Sequence, residues 1–263
     1  MKPFVKMMVA AMACSMFLYT ACKKVSDAPV KTASTKDVAG LVGKDFTQAL
    51  AGNYGGLSLK DNVKPPTFLT ESNKKIVTSL NPLCGYTIDT TVRYVYRQGD
   101  SVKSLVKGRF VFTFTCSSTI PDGYKSFTSF TSSGKTPDYA YIYAIAQGYI
   151  VQALNAQYTK VSANGTLKSF GDFKYGAADV DTTHLANSIY QHQTYIMHNL
   201  VIDVTNNLDI ISGTATFTSK GRNSFGKWEY IGTIEFIGNH KAIITINGQA
   251  YNVDLLTGVA TPI

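Results

Sequence analysis

The histidines are the first side chains to consider for metal chemistry. The chain has four of them, and His192 and His198 are six residues apart. In an extended strand this even spacing places both rings on one face but about 20 Å apart, too far for them to share one metal ion. His184 and His240 would have to approach from other parts of the fold. We therefore interpret the histidines as scattered surface residues rather than as zinc or copper ligands.

Paired carboxylates are the second possible source of chemistry. Glycoside hydrolysis uses two acids about 5–10 Å apart across a cleft, and Glu229 and Glu235 are the obvious glutamate candidates. They are six residues apart on one predicted strand, and the alternation around them predicts that both point to solvent. The sequence contains no Gly-x-Ser-x-Gly elbow, no His-Glu-x-x-His motif and no Gly-rich phosphate loop. We therefore predict no catalytic residue and no cofactor.

Three aspartates form a candidate calcium site. Asp172, Asp179 and Asp181 fall in the segment 171–183, which we predict to be a loop. Carboxylates and loop carbonyls are the ligands that calcium prefers, but the regular alternation Asp-x-Asp-x-Asp-Gly is missing. The alternative is that these acids only keep the loop soluble.

Aromatic residues give a lead to ligand binding. Tyr139, Tyr141 and Tyr143 alternate along one segment, and Trp228 and Tyr230 alternate along another. Such rings can line a groove or a barrel lumen that holds a sugar or a lipid. They can equally fill a hydrophobic core, so core packing is the alternative for each of these candidate ligand-binding residues.

Two cysteines, Cys84 and Cys116, bracket a predicted hairpin. Between them, residues 86–96 and 102–114 have apolar side chains at every second position, as half-buried strands do. Residues 98–101 have the composition of a turn. This arrangement predicts two long neighbouring strands.

The register of this hairpin predicts a disulfide. The even-numbered apolar positions must face each other, because a slip of one residue would turn one apolar face to water. A turn centred on Asp100 places Cys84 directly opposite Cys116. Opposed residues have Cβ atoms about 4.5–5.5 Å apart, close enough for a bond after slight adjustment. Because the N-terminus also predicts export from the cytoplasm, we expect a Cys84–Cys116 disulfide.

A short helix is predicted ahead of the hairpin. Ser34 to Asp37 is typical of a helix start, and apolar residues then recur at helical spacing until Gly52. This pattern predicts a helix of about 14 residues that covers or plugs the β domain.

The segment after the hairpin is harder to interpret. Residues 117–138 are rich in Ser, Thr, Gly and Pro, which predicts a long loop with at most a short strand at Lys125–Phe130. Residues 139–158 are ambiguous between helix and strand, and we interpret them as mostly strand. Asn164-Gly165 predicts the next hairpin turn.

The C-terminal part has five runs with strand-like alternation, separated by turn residues. They are Tyr195–Asp203, Ile210–Ser219, Gly226–Phe236, Lys241–Ile246 and Gln249–Leu255. Turn signals at intervals of about 10–14 residues favour an up-and-down meander. We expect an all-β fold: an antiparallel meander of about ten to twelve strands, forming a barrel or a sandwich, in one domain over residues 36–263.

The N-terminus has the pattern of an export signal. Lys2 and Lys6 precede an apolar run of about 15 residues, which is short for a membrane-spanning helix. Leu18-Tyr19-Thr20-Ala21-Cys22 resembles a lipobox, the site at which a lipoprotein signal peptide is cut before a cysteine. A second candidate, Cys14, would leave an apolar run of only seven residues.

This lipobox resembles those of outer-membrane lipoproteins of the Bacteroidota. The resemblance implies that residues 1–21 are a signal peptide, that Cys22 is acylated and that residues 22–35 are a flexible tether. An acidic pair after the cysteine often marks surface export in that phylum, whereas Lys23-Lys24 stands here. The periplasmic and the surface face of the membrane therefore both remain open.

Charge and composition limit the function classes. Removal of residues 1–21 leaves 23 bases against 17 acids, without a block of like charges, and the bases are mostly spread singly along the sequence. A nucleic-acid partner is not expected, because it would require clustered bases. We predict a non-catalytic module of the cell envelope, attached to the membrane by its lipid, that binds a small ligand (a lipid or a glycan) or an envelope protein. The alternative function is an envelope hydrolase of glycans or esters.

Overall fold

The chain folds into one antiparallel sheet of eleven strands with a helix packed against it. The structure is a computed structural model that describes residues 31–53, 57–61, 84–98, 102–117, 121–135, 139–175, 188–223 and 226–263. The predicted signal peptide, Cys22 and most of the predicted tether lie outside the described residues. Residues from Thr32 to Ile263 form one compact unit. Within the described ranges, no helix has both the length and the apolar character needed to cross a membrane.

The described elements are one helix, one 3₁₀ turn and eleven strands. Helix α1 spans Thr35–Leu50, and a 3₁₀ turn follows at Leu59–Asp61. The strands are β1 (Thr87–Gln98), β2 (Val102–Cys116), β3 (Pro121–Lys135), β4 (Tyr139–Ala153), β5 (Lys160–Tyr175), β6 (Ser188–Asp203), β7 (Asp209–Asn223), β8 (Gly226–Gly238), β9 (Lys241–Ile246), β10 (Gln249–Asp254) and β11 (Ala260–Pro262).

Each strand pairs with its neighbours in sequence, from β1 to β11. This order confirms the predicted all-β antiparallel meander of about ten to twelve strands with one short N-terminal helix. β1 and β11 are the two edges, and no pairing among the described residues joins them. The sheet is therefore not closed.

The sheet curls around α1. The ring of Phe46 lies 5.0 Å from that of Tyr195 in β6 and 5.3 Å from that of Phe236 in β8. One helical turn earlier, Gly43 lies against the side chain of Val253 in β10. On a flat sheet β6 and β10 would be about 19 Å apart, whereas residues one turn apart on a helix are about 5 Å apart. The strands must therefore bend around the helix, whose apolar side chains fill the concave face.

The β1–β2 hairpin has the predicted register. Thr87 lies opposite Thr113, and the pairing continues without a shift to Gln98 opposite Val102. Cys84 and Cys116 are joined by a disulfide, with their Cα atoms 5.6 Å apart. The predicted cross-link is thus confirmed, and it closes the open end of the hairpin.

The loop predicted over residues 117–138 is wrong. Strand β3 occupies Pro121–Lys135 and is far longer than the short strand expected at Lys125–Phe130. Its inward positions alternate large rings with small hydroxyls, such as Ser126 and Thr128, so its composition is that of a loop although its period is two. Pro121 stands at the first position of the strand, where a missing N–H is tolerated.

The hairpin turn predicted at Asn164-Gly165 is also wrong. Both residues lie inside β5, where the pairing with β6 shifts between Ala163 and Gly165. Gly165 has φ +141°, a conformation that other residues rarely adopt. The side chain of Asn164 accepts the backbone N–H of Asn199 at 2.8 Å. The same residue types that make a tight turn here make a bulge.

The remaining predictions of elements agree with the structure. Helix α1 starts where expected, because the Ser34 side chain accepts the N–H of Asp37, and it ends just before Gly52, which has φ +71°. Residues 139–158, interpreted as mostly strand, contain β4. The five C-terminal runs correspond to β6, β7, β8, β9 and β10.

Close contact between α1 and the β10–β11 turn depends on a glycine. A Cβ atom at Gly40 would collide with the carbonyl oxygen of Gly258. Gly258 itself has φ +77°. The helix can therefore reach this turn only without a side chain at position 40.

We predict that Gly40→Ala destabilises the protein, although alanine is normally the better helix former by about 1 kcal/mol. The added methyl group forces the helix away from Gly258, and overpacking of this kind costs about 1–3 kcal/mol. Urea unfolding of the two proteins measures the change. Gly148→Ala in β4 is the control, since a Cβ there meets only Thr166 at an ordinary 3.4 Å. An increase in stability for Gly40→Ala would contradict the close approach.

Candidate functional site

A cleft opens between α1, the end of β5, the start of β6 and the β10–β11 turn. Its volume is about 520 Å³, within the usual range for small-ligand sites. We call it the Asp45 cleft. Its apolar lining is Leu41, Phe173 and Ile189, and its polar side chains are those of Lys44, Asp45, Gln48 and Gln191.

Asp45 is a buried acid without an ion-pair partner. Its exposed fraction is 3 %, and within the described residues no lysine or arginine pairs with it. Ser169 donates a hydrogen bond to Oδ2 at 2.9 Å, and the Tyr195 hydroxyl lies 3.1 Å both from this oxygen and from the carbonyl oxygen of Val42, so its one proton is shared between two acceptors. Gln191 donates to Oδ1 at 3.2 Å. Neutral donors alone therefore hold this carboxyl group.

Burial raises the pKa of Asp45 to about 6, and the hydrogen bonds from Ser169 and Tyr195 offset part of the shift. Loss of hydration penalises the charged form of a buried carboxyl group, whereas donors favour it. The group is thus ionised at neutral pH and becomes protonated in mildly acidic solution. A perturbed acid in a cleft is a physical indication of a functional site.

The two carboxylate oxygens of Asp45 accept different numbers of hydrogen bonds. Oδ2 is bonded by two hydroxyl groups, whereas Oδ1 has one long bond from Gln191. A carboxylate oxygen can accept two hydrogen bonds. Oδ1 therefore has room for one more donor, and Asp45 is part of the cleft lining.

Gln147 gives a contrast, because all of its hydrogen-bonding capacity is used. Its Oε1 accepts from the N–H of Leu57 and from Thr128, each at 2.7 Å. Its Nε2 donates to the carbonyls of Leu57 and Ala49 at 3.0 and 3.4 Å. These bonds attach the segment after α1 to β4. Gln147 is thus a structural residue.

A further buried amide lies two residues beyond Gln191 on the same face of β6. Gln193 is completely buried, and neither amide atom has a hydrogen-bond partner among the described residues. Its neighbours across the sheet are Ser169 and Ser219. Polar side chains thus continue along the inner face of β6, from Gln191 in the cleft to Gln193 further inside.

The candidate aromatic residues do not form one site. Tyr141 and Tyr143 are on β4, and their rings are each 6.5 Å from that of Phe173. Trp228 and Tyr230 are on β8, with three strands between the pairs. All four are on the concave face, and of Tyr139 only the backbone pairing in β4 is described.

The aromatic residues of β8 donate their hydrogen bonds to other residues of the protein. The indole N–H of Trp228 donates to Ser219 at 2.8 Å, and the ring covers Gly221, which has no space for a side chain. The hydroxyl of Tyr230 donates to the carbonyl of Ala33 at 2.9 Å. These contacts hold the sheet and the N-terminal segment together.

The calcium candidates are not brought together in the described residues. Asp172 belongs to strand β5, so the loop predicted over 171–183 is wrong at its start. Asp179 and Asp181 lie outside the described residues. Within the described ranges, no group of three or more His, Cys, Asp or Glu side chains could hold a metal ion.

The other predicted acids and histidines are on the convex face. Glu229 and Glu235 are both exposed on β8, as expected, and Glu229 pairs with Lys220. His192 and His198 are exposed on β6. His184 lies outside the described residues.

The predictions from the sequence missed Asp45, although the sequence contains a signal for it. Val38, Val42 and Ala49 are buried on α1, and Asp45 follows Val38 by two turns. An acid on the apolar stripe of an amphipathic helix is exceptional. Nothing in the sequence singles out Gln191 or Ser169, because polar residues alternate with apolar ones in every strand.

We predict that Asp45 makes stability fall between about pH 4 and pH 6. Its folded-state pKa of about 6 lies above the ordinary 3.8, so the folded state binds the proton more tightly than the unfolded chain. The stabilisation is complete below about pH 4 and is lost as the pH rises through 6, by roughly 3 kcal/mol. Urea unfolding from about pH 4 to pH 7 measures this slope, and Asp45→Asn should remove it.

Asp203→Asn is the control for this experiment. The hydroxyl of Thr205 lowers the pKa of Asp203, so its contribution has the opposite sign. The fall above pH 4 should therefore persist in Asp203→Asn. A flat profile for the wild type, or an unchanged slope in Asp45→Asn, would show that Asp45 does not hold its proton in this way.

Comparison with known proteins assigns no family. No protein family model, curated protein or solved structure matches this chain.

Proposed function

We propose that this protein is a lipid-anchored, non-catalytic module of the bacterial cell envelope that binds a small saccharide in the Asp45 cleft. The observation that supports this proposal is the state of Asp45. It is a desolvated carboxylate held by neutral donors, with acceptor capacity left on Oδ1, in the lining of an open cleft.

The chemistry of the cleft suits a ligand with several hydroxyl groups. The carboxylate of Asp45 accepts hydrogen bonds, and the amides of Gln48 and Gln191 can both donate and accept. The half-buried ring of Phe173 and the side chain of Leu41 offer apolar surface for the C–H face of a sugar ring. Of the two ligand classes suggested by the sequence, a glycan therefore fits better than a lipid tail.

The same geometry favours binding over hydrolysis. Asp45 is the only acid among the described residues that line the cleft. Hydrolysis of a glycoside uses a second carboxylate across the cleft. The glutamates considered for that role, Glu229 and Glu235, are exposed on β8 instead.

The proposal predicts saccharide binding that depends on Asp45. In saturation-transfer NMR and calorimetry with glucose, galactose, mannose, N-acetylglucosamine and their disaccharides, at least one sugar should bind the wild type. Asp45→Asn should lower its affinity roughly tenfold or more, because a hydrogen bond to a charged group contributes about 1.5–3 kcal/mol.

The matched control is Asp209→Asn. Asp209 is also buried, but it accepts the backbone N–H groups of Asn239 and His240 outside the cleft. Its substitution should leave the affinity unchanged. The proposal fails if none of these sugars binds, or if the two variants bind equally well.

The anchor makes a separate prediction. Wild-type protein should stay with membranes after a high-salt wash and should incorporate labelled palmitate, whereas Cys22→Ala should do neither, because acyl chains supply the membrane affinity. Cys14→Ala is the control and should behave like the wild type. Release of Cys14→Ala, or membrane retention of Cys22→Ala, would refute acylation at Cys22.

A further inference from the structure

Bases that are spread singly in the sequence are gathered by the sheet at one of its ends. At this end β3, β5 and β7 finish and β4, β6 and β8 begin. It carries the exposed residues Lys135, Lys174, Arg222 and Lys227, which we call the basic rim. Pairing register thus gathers bases that are distant from one another in the sequence.

The basic rim contains like charges in directly opposed positions. Arg222 on β7 pairs with Lys227 on β8. Like charges opposed across a strand pair are destabilising. An anion that contacts both bases removes this repulsion.

The described acids at this end are Asp172, which lines a cleft with Lys135 and Lys174, and Glu229. Glu229 is next to Lys227 but pairs with Lys220. No salt bridge connects Arg222 or Lys227 to a described acid. At the opposite end of the same strands, the acids Asp122, Asp203 and Asp209 stand near the β3 start and the β6–β7 turn. That end holds three described acids, with Lys160 opposite Asp203.

Two of the rim bases border a cleft with aromatic rings. Its volume is about 630 Å³, and Arg222, Lys227, Tyr190 and Trp228 contribute to its lining. The guanidinium of Arg222 lies over the ring of Tyr190, 5.8 Å from its centre. This contact keeps the cation in place on the outer surface instead of leaving it free to turn away.

The N-terminal chain joins the sheet at the same place. Thr32 forms a parallel bridge with Lys227, and the N–H of Ala33 donates to the carbonyl of Lys227 at 3.0 Å. Thr32 also lines the cleft beside Arg222. Cys22 is ten residues before Thr32, so a lipid on Cys22 holds this point within about 36 Å of the membrane.

We infer that the basic rim docks on the membrane surface by binding the anionic headgroups of phospholipids, with Arg222 and Lys227 as the principal contacts. The inference rests on the proposed anchor, because attachment through Cys22 is what brings this end to the bilayer. Juxtamembrane bases bind anionic lipid in this way, with a dependence on ionic strength. Docking orients the Asp45 cleft relative to the membrane, because Phe173 in the cleft lining directly precedes Lys174 in the basic rim.

A membrane surface fits these observations better than a soluble acidic saccharide. The bases extend from β3 to β8 rather than enclosing one pocket, and Lys135 and Arg222 are separated by four strand spacings, about 19 Å, so a single sugar acid does not contact both. The position of Thr32 also favours the membrane, since no soluble ligand requires the cleft to be beside the N-terminal chain.

Vesicle co-sedimentation tests the inference on the chain from residue 22 onward with Cys22→Ser, which has no anchor. Vesicles contain phosphatidylcholine alone or mixed with phosphatidylglycerol. Binding should require phosphatidylglycerol and weaken with salt. The double variant Arg222→Gln/Lys227→Gln should lower the partition coefficient roughly thirtyfold, as expected for two bases near an anionic surface. The double variant Lys125→Gln/Lys168→Gln removes the same charge away from the rim and should bind nearly as the wild type does.

Thermal unfolding monitors folding, and Arg222→Gln/Lys227→Gln should be no less stable than the wild type because it removes a like-charge pair. The inference is overturned if both double variants lose binding equally, or if phosphatidylglycerol has no effect. It is also overturned if a soluble oligogalacturonate binds the wild type through Arg222 and Lys227 while the vesicles do not. Since the tested chain lacks Cys22, these outcomes are independent of the acylation experiment and of sugar binding in the Asp45 cleft.

Discussion

The packing of α1 inside the curled sheet is the interaction on which the rest of the structure depends. An eleven-stranded meander with two unpaired edges needs something to fill its concave face, and a helix that is apolar on most sides does so. Contacts of α1 with strands from β4 to β10 fix the curvature. Gly40 and Gly43 let the helix approach the β10–β11 region so closely that added methyl groups would meet backbone or side-chain atoms.

This packing also explains the chemistry of Asp45. Apart from a partly exposed stripe that carries Asp37, Lys44 and Gln48, α1 is surrounded by strands, so an acid elsewhere on it must be buried or must replace an apolar contact. The sheet supplies Ser169, Gln191 and Tyr195 as partners, which come from two adjacent strands and need the observed curvature to converge. An apolar residue at this position would pack without desolvating a charge. The acid is therefore costly to the fold, and this cost is the physical basis of the saccharide site that we propose.

Prediction from the sequence succeeded where one face of a strand is strictly apolar. In β1 and β2 the alternation determines the register, and the register determines the disulfide. It failed in β3, because Ser126, Thr128 and Ser132 face inward and hide the apolar face in a composition typical of loops. It failed at Asn164-Gly165 because a bulge and a turn require the same backbone freedom. The partners of Asp45 could not be predicted, since convergence of β5 and β6 on α1 is set by curvature, which no local pattern encodes.

The clustering of bases is the clearest example of a feature that appears only in the folded protein. Arg222 and Lys227 are separated by a turn, and Lys135 and Lys174 by a whole hairpin, so the linear sequence contains no basic cluster. The meander brings all the bases at alternate strand ends to one side, because every second connection is on that side. The N-terminal segment joins β8 there for a related reason: α1 starts beside β8 and β10, where Tyr230 and Tyr251 bond to Ala33 and Thr35. The packing of α1 in the sheet thus determines where Thr32 and Ala33 join β8 and where the Asp45 cleft opens.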